Sequence, residues 1–331
     1  MSFPLFLISF ASAAIATGFL IPYIRSYALR NNLVDKPNAR KQHIKKIVRL
    51  GGIAIFSGFT FSLVLVGILG VFNKQDIIFF KETSIIYLCF FMFFVLGLLD
   101  DLFTLSPFLR LIIQLLISAV FWFNNIRIDK IDLSWGPDFL TVIDLPTLIS
   151  FLITVIWITG LTNAINWIDG LDGLAAGNIA ITALGTLFIG LRINSNPALF
   201  FLSALLGACL GFLRFNYNPA RILMGDSGSY FLGSSISVLT LVACSNNLLN
   251  SFETTNITKL NFAIFLLLLP ILDMTYVIIK RTIRGNSPFM PDRGHIHHQM
   301  LKAGFKTAQT VELIYLFTFI SCVFPILAIW K

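Results

Sequence analysis

The sequence predicts an all-α integral membrane protein of about ten transmembrane helices, forming a single polytopic domain over residues 1–331. Three observations lead there. Hydrophobic residues make up 56% of the chain and charged ones only 12%, with a mean hydropathy of +0.84, which is too apolar for an ordinary water-soluble enzyme. Apolar stretches near the length of about 20 residues that a spanning helix takes recur along the chain. Finally, Lys and Arg are divided unevenly between alternate connecting segments.

The stretches run from Phe3 to Ile24, Gly52 to Phe72, Ile85 to Leu99, Pro107 to Phe123, Leu148 to Thr162, Leu174 to Leu191, Ala198 to Leu213, Ser229 to Cys244, Leu260 to Ile279 and Thr310 to Trp330. The first has no basic segment ahead of it, and Arg25 and Arg30 follow it, so it is expected to be retained with its N-terminus outside. Cys89, Cys209, Cys244 and Cys322 lie in or at the ends of apolar stretches without CxxC spacing, which suits buried packing.

If the spans alternate, residues 25–49, 100–110, 214–228 and 280–309 share one side and carry seventeen Lys and Arg, against seven on the other. The positive-inside rule makes the richer side cytoplasmic and places both termini outside. It also accounts for the net charge of +8 without nucleic acid as a partner.

The chemistry-bearing residues gather on that same side. Asp100 and Asp101 close the third stretch, just before Ser106 and Pro107, which read as N-cap and first helical position of the fourth. Two adjacent carboxylates repel unless a cation compensates them; alone, the pair also reads as a solvated turn. After the fifth stretch comes NAINWIDGLDGLAAG. Asp169 and Asp172 are spaced to share a face if that segment is helical, Gly170 and Gly173 admit a ligand to the backbone, and Asn166 adds an oxygen of the kind that Mg2+ prefers. As a bare pattern, two DG pairs are also a turn signal. Asp226 lies in a Gly- and Ser-rich loop, MGDSGS, that opens the eighth span; such a helix N-terminus suits a phosphate or is simply capped. His295, His297 and His298 follow Arg293 in PDRGHIHH, a set fit for phosphate or sugar oxygens, with zinc disfavoured by the lack of Cys partners. His43 lies in the other long basic segment. Asp273 is the one carboxylate well inside a span, and no role follows for it.

Taken together in order, GLLDD with Arg110 and Gln114 downstream, NAINWIDGLDGLA, NPARILMGDSGS and PDRGHIHH resemble the motifs of the bacterial polyprenyl-phosphate N-acetylhexosamine-1-phosphate transferases, glycosyltransferase family 4, over almost the whole chain. The resemblance implies ten or eleven helices, Mg2+ (or Mn2+) as cofactor, and a bacterial inner-membrane enzyme with a cytoplasmic site. It implies a UDP-N-acetylhexosamine donor, undecaprenyl phosphate as acceptor, N-acetylglucosamine 1-phosphate as the group transferred, and UMP as product. A homodimer stands among the expectations. IVRLGG and HIHH are more similar to the branch that initiates O-antigen, enterobacterial common antigen or teichoic acid than to the phospho-MurNAc-pentapeptide transferases of peptidoglycan synthesis, which remain an alternative. A secondary transporter is the competing reading from another class, although it would bind near the midplane between repeated halves, and the sequence has no internal repeat.

By the same resemblance, Asn166 and Asp226 are the metal ligands and Gly170 and Asp172 hold the uridine. Asp169 lies beside the reacting diphosphate, and Asp100 and Asp101 flank the acceptor, one to orient it or take its proton; these three are the catalytic residues. His43 and Arg110 meet the lipid phosphate, while Arg293, His295, His297 and His298 meet the sugar phosphate.

Overall fold

The computed structural model describes residues 3–33, 47–71, 77–132, 142–193, 196–246, 257–258, 260–285 and 294–329. Among them are twelve helices and four short strands. The helices are α1 (Phe3–Arg30), α2 (Gly51–Val71), α3 (Ile77–Phe103), α4 (Pro107–Phe123), α5 (Thr147–Ile168), α6 (Leu174–Ile193), α7 (Asn196–Asn216), α8 (Gly225–Ala243), α9 (Leu260–Leu266), α10 (Leu268–Ile283), α11 (Ile296–Lys302) and α12 (Thr307–Ile329). The strands are β1 (Lys130–Asp132), β2 (Val142–Asp144), β3 (Ser245–Asn246) and β4 (Ile257–Thr258).

Seven of the helices are long and apolar enough to cross a membrane, and α9 with α10 makes an eighth if the bent pair is one span. Their outward faces are apolar as well, with Ile15, Phe19, Ile68, Leu88, Ile156 and Leu327 all exposed, a pattern that lipid and not water would tolerate. The chain is a multi-pass membrane protein. Two of the stretches read from sequence fall on helices outside that set. One is α4, with 17 residues, and the other is α8, whose composition is the least apolar of the long helices.

The Ser-rich character of α8 has a structural reason. Every residue from Ser227 to Ala243 is buried, because α2, α3, α5 and α6 pack around it. Three of its hydroxyls bond within the helix: Ser234 donates to the Phe231 carbonyl at 3.0 Å, Ser237 to Ser234 at 2.8 Å and Thr240 to Ile236 at 2.8 Å, whereas those of Ser227 and Ser235 have no partner among the described residues. Small side chains also let neighbours come close. A Cβ on Gly97 of α3 would lie 2.2 Å from the Asp226 carbonyl oxygen.

The ninth stretch departs from a simple span. It breaks at Leu267 and turns by 80° into α10. Pro270 explains the break, since it has no N–H for the Leu266 carbonyl four residues back and its ring would crowd that oxygen. The Leu266 carbonyl accepts from Thr182 Oγ1 at 3.3 Å instead. After the turn, α10 packs on α5, which carries Asp273 toward the end of the bundle where α11 begins. A second departure from the all-α expectation is the small sheet, in the order β2-β1-β4-β3, formed by the segments after α4 and α8 at the opposite end.

A candidate active site at one end of the helix bundle

The sequence motifs converge where α3 and α5 end and α8 begins. The expected cap of α4 is present: Ser106 Oγ accepts the Leu109 N–H at 3.2 Å and Pro107 takes the first helical position. This cap fixes the turn after α3, and Asp100 closes it from the other side. Asp100 Oδ1 accepts the Leu105 N–H at 2.9 Å, while Oδ2 pairs with Arg110 at 2.5 Å and accepts from Tyr230 Oη at 3.3 Å. Asp100 is only 4% exposed, so its charge is held by these donors and not by water.

Asp101 points the other way, to the start of α8. Its Oδ1 accepts the Asp226 N–H at 2.8 Å and its Oδ2 the Ser227 N–H at 2.9 Å. The anion that meets this helix N-terminus is therefore the chain's own Asp101, where the sequence left room for a phosphate. Gly225 makes the approach feasible, because its φ is +77° and a Cβ there would sit 2.6 Å from both Asp101 Oδ2 and the Arg49 carbonyl oxygen.

Asp226 is thereby turned toward α5. Its Oδ1 accepts from Asn166 Nδ2 at 2.7 Å and from Arg49 at 3.0 Å, whereas its Oδ2 has no hydrogen-bond partner among the described residues. Arg49 also lies 3.5 Å from Asp101 Oδ1. Arg49 is placed by a short ladder: the Leu223 N–H donates to the Val48 carbonyl, and the N–H groups of Gly51 and Gly52 donate to the carbonyls of Leu223 and Met224. Sequence reading passed over Arg49 and Tyr230. The only local signal for Arg49 was its position directly before Leu50, Gly51 and Gly52.

Helix α5 ends at Ile168, with Asp169 as its C-cap and a turn over the next residues. Asp169 and Asp172 thus do not share a helical face, a correction to the spacing argument, because the DG pairs end the helix. Asp172 Oδ2 instead accepts from Asn218 Nδ2 and the Ala220 N–H, both at 3.0 Å, and so ties this turn to the segment after α7. Asp169 makes no side-chain hydrogen bond among the described residues. Burial pushes its carboxyl up to about 7; Arg49 opposes the rise and Asp226, Asp101 and Asp172 add to it.

The three histidines flank this turn. The His297 and His298 ring centroids are 4.2 Å apart, and those of His295 and His297 5.6 Å. A Cβ on Gly170 would lie 2.5 Å from His297 Nε2, so this glycine lets the His297 ring pack on the turn. Burial pushes the His297 imidazole down to about 3, helped by neighbouring His298 and His295 and opposed by Asp273, so the ring is neutral at neutral pH. Of the expected site residues, Asp100, Asp101, Arg110, Asn166, Asp169, Gly170, Asp172, Asp226, His295, His297 and His298 come to this end of the bundle. His43 and Arg293 lie outside the described residues.

Beside the cluster, a groove of about 350 Å³ opens between α4, α5 and α10. Leu111, Leu115, Ile156 and Met274 form its apolar walls, and Arg110, Asn166 and Tyr230 form its polar end.

Comparison with known proteins places the arrangement. The family model described as glycosyl transferase family 4 matches residues 83–244, which carry three of the four motifs. A probable undecaprenyl-phosphate N-acetylglucosaminyl 1-phosphate transferase of Bacillus subtilis (strain 168) is 34% identical over 316 residues, covering 95% of this chain and 82% of the relative. The chain belongs to glycosyl transferase family 4. Other relatives in this family include a decaprenyl-phosphate N-acetylglucosaminephosphotransferase of Mycolicibacterium smegmatis, 29% identical over 92% of this chain and 77% of its own length. An undecaprenyl-phosphate alpha-N-acetylglucosaminyl 1-phosphate transferase of Salmonella typhi is 28% identical over 90% of this chain and 77% of its own length.

Proposed function

We propose that the chain transfers N-acetylglucosamine 1-phosphate from UDP-N-acetylglucosamine to undecaprenyl phosphate, releasing UMP and forming a lipid-linked sugar diphosphate. The observation that carries this is the juxtaposition of the Asp100, Asp101, Asp169 and Asp226 cluster with a groove whose apolar walls end at Arg110. The names of the relatives support the same acceptor class and sugar.

In the reaction, an acceptor phosphate oxygen forms a bond to the sugar-bearing phosphorus of the donor while the bond from that phosphorus to the UMP oxygen breaks. Phosphoryl transfer of this kind needs alignment and charge neutralisation more than covalent help. The acceptor, a phosphate monoester with a second pKa near about 6, is already largely dianionic at neutral pH. A polyprenyl tail suits the groove walls, and Arg110, held by Asp100 and Tyr230, would meet its phosphate. Gly170 and Asp172 belong to the turn assigned to the uridine. Asp101 aligns α8, and with it Asp226, by its two backbone hydrogen bonds.

The donor chemistry at this end supports a divalent cation, although among the described residues no three acidic or imidazole side chains already gather to hold one. Asp169 has no hydrogen-bonded partner among the described residues, and one Asp226 oxygen is likewise open, so hard oxygen donors face a cluster with more carboxylates than guanidiniums. Asp226 and Asn166 would hold Mg2+, with Asp169 beside them, once the Asn166 amide turns its oxygen to where Nδ2 now points. When bound, Mg2+ would draw charge from the donor diphosphate. The described parts of the basic segments nearest the site, residues 47–49 and 294–302, adjoin this end, which by the positive-inside rule would be the cytoplasmic face of a bacterial inner membrane.

The test is to incubate purified protein with undecaprenyl phosphate and a panel of UDP-sugars, with Mg2+ or EDTA, and to weigh the lipid product. A product heavier by one N-acetylhexosamine phosphate, formed only with the metal, is expected. A peptide-bearing sugar as the sole accepted donor would move the chain to the peptidoglycan branch.

A further inference from the structure

Asp273 has no part in the mechanism above, although it is only 3% exposed within the apolar run LPILDMTYVI of α10. A carboxylate so placed is costly unless its oxygens are bonded, and here both are. Oδ2 lies 2.7 Å from His295 Nδ1, and Oδ1 accepts the Ile296 N–H, also at 2.7 Å, in the first turn of α11. The two residues are 22 apart in sequence, brought together by the 80° turn between α9 and α10. The imidazole is fixed on its other sides by the Trp167 ring, edge-on at 5.8 Å, and by the His297 ring, stacked at 5.6 Å. Trp167 adjoins Asn166 in sequence and His297 packs on Gly170, so the His295 ring lies over the turn that carries Asp169.

A carboxylate can only accept at these positions. His295 Nδ1 must then carry hydrogen, and Nε2, which has no hydrogen-bond partner among the described residues, is the nitrogen left for a ligand. We propose that Asp273 is a positioning residue that holds His295 in the Nδ1–H form and so presents the Nε2 lone pair as acceptor to a hydroxyl or amide N–H of the sugar-phosphate donor, an inference that rests on the transferase reading above.

The Asp273→Asn substitution separates this role from simple helix capping. Its amide oxygen can still accept the Ile296 N–H, but its NH2 faces His295 Nδ1 and forces that nitrogen to accept, moving the hydrogen to Nε2. Steady-state rates of UMP release in detergent should show kcat lowered on the order of 10- to 100-fold in D273N, with the KM for donor changed far less and thermal stability retained. H295Q should lose a similar factor, and D273N combined with H295Q should lose no more than H295Q alone. Wild-type turnover in D273N, or losses that multiply in the double variant, would overturn the proposal. Independently of activity and of how well D273N folds, 15N chemical shifts of the His295 ring in wild-type protein report the proton. Hydrogen on Nδ1 supports the proposal, and hydrogen on Nε2 alone refutes it. Wild-type protein that makes no UMP would count against the transferase reading, while the ring shifts would still decide the Asp273–His295 relation.

Discussion

Asp101 Oδ1 accepts the backbone N–H of Asp226 at 2.8 Å, so one acidic motif residue holds the helix on which the other is mounted. The contact spans 125 residues and gives the two aspartates different work. Asp101 is spent on the backbone of α8 and on Arg49, whereas Asp226 bonds Asn166 of α5 and Arg49 through one oxygen and leaves the other without a hydrogen-bond partner among the described residues.

Asn at these two positions should therefore behave differently. D101N leaves one of two buried N–H groups facing an NH2 and is expected to destabilise the protein by about 1–3 kcal/mol, with activity falling alongside. D226N removes one charge from a crowded acidic cluster and should melt near the wild type while turnover is lost. Thermal unfolding in detergent together with UMP release checks the pair; equal melting temperatures for both variants would contradict the assignment.

Gly225 cannot carry a side chain cheaply. G225A combines a left-handed backbone with a Cβ driven against Asp101 and the Arg49 carbonyl. A loss of about 1–3 kcal/mol is expected from the backbone alone, and more if Asp101 is displaced. A melting temperature within a degree of wild type would show that the α8 entry is looser than described here.

Arg49 supplies positive charge to both Asp101 and Asp226, yet its side chain is 42% exposed. Solvent screening limits what it adds to folding, so R49A should cost at most about 1 kcal/mol. Turnover should fall by an order of magnitude or more, since donor and acceptor phosphates meet a cluster stripped of its nearest cation. R49K should recover only part of the rate, because one ammonium does not replace the two-sided guanidinium contact.

His297 makes stability depend on pH in a definite direction. Its folded-state value, about 3, lies below the ordinary histidine value of 6.5. Between these limits the unfolded chain binds the proton and the folded one does not. Its contribution is complete above about 6.5 and is lost progressively as the pH falls toward 3. The melting temperature in detergent should drop between pH 7.5 and 5, and H297Q should flatten that slope; an unchanged slope in H297Q would assign the acid sensitivity elsewhere.

Much of the site was legible in the sequence because its signals are local. Ser106 before Pro107 announces a helix start, paired aspartates at the end of an apolar run announce an expensive charge, and DG pairs announce a turn. The ten apolar stretches follow from composition alone, and each falls on helix in the structure. What was not legible depends on partners distant in sequence. Tyr230 reads as an ordinary aromatic in a span until Asp100 and Arg110 are seen beside it. Asp273 had no role until α10 turned it to His295. Pro270 signalled the break in the ninth stretch, but not the direction of the 80° turn. The small sheet is built from two- and three-residue strands, too short to show an alternating pattern.

The central claim is that one end of the bundle brings a nucleotide-sugar diphosphate and a lipid phosphate together at Asp226. It is tested most directly by UMP release from purified protein given UDP-N-acetylglucosamine with and without undecaprenyl phosphate, in wild type and D226N. UMP is expected only when donor, lipid phosphate and wild-type Asp226 are all present. UMP formation without the lipid, or at an undiminished rate in D226N, would contradict it.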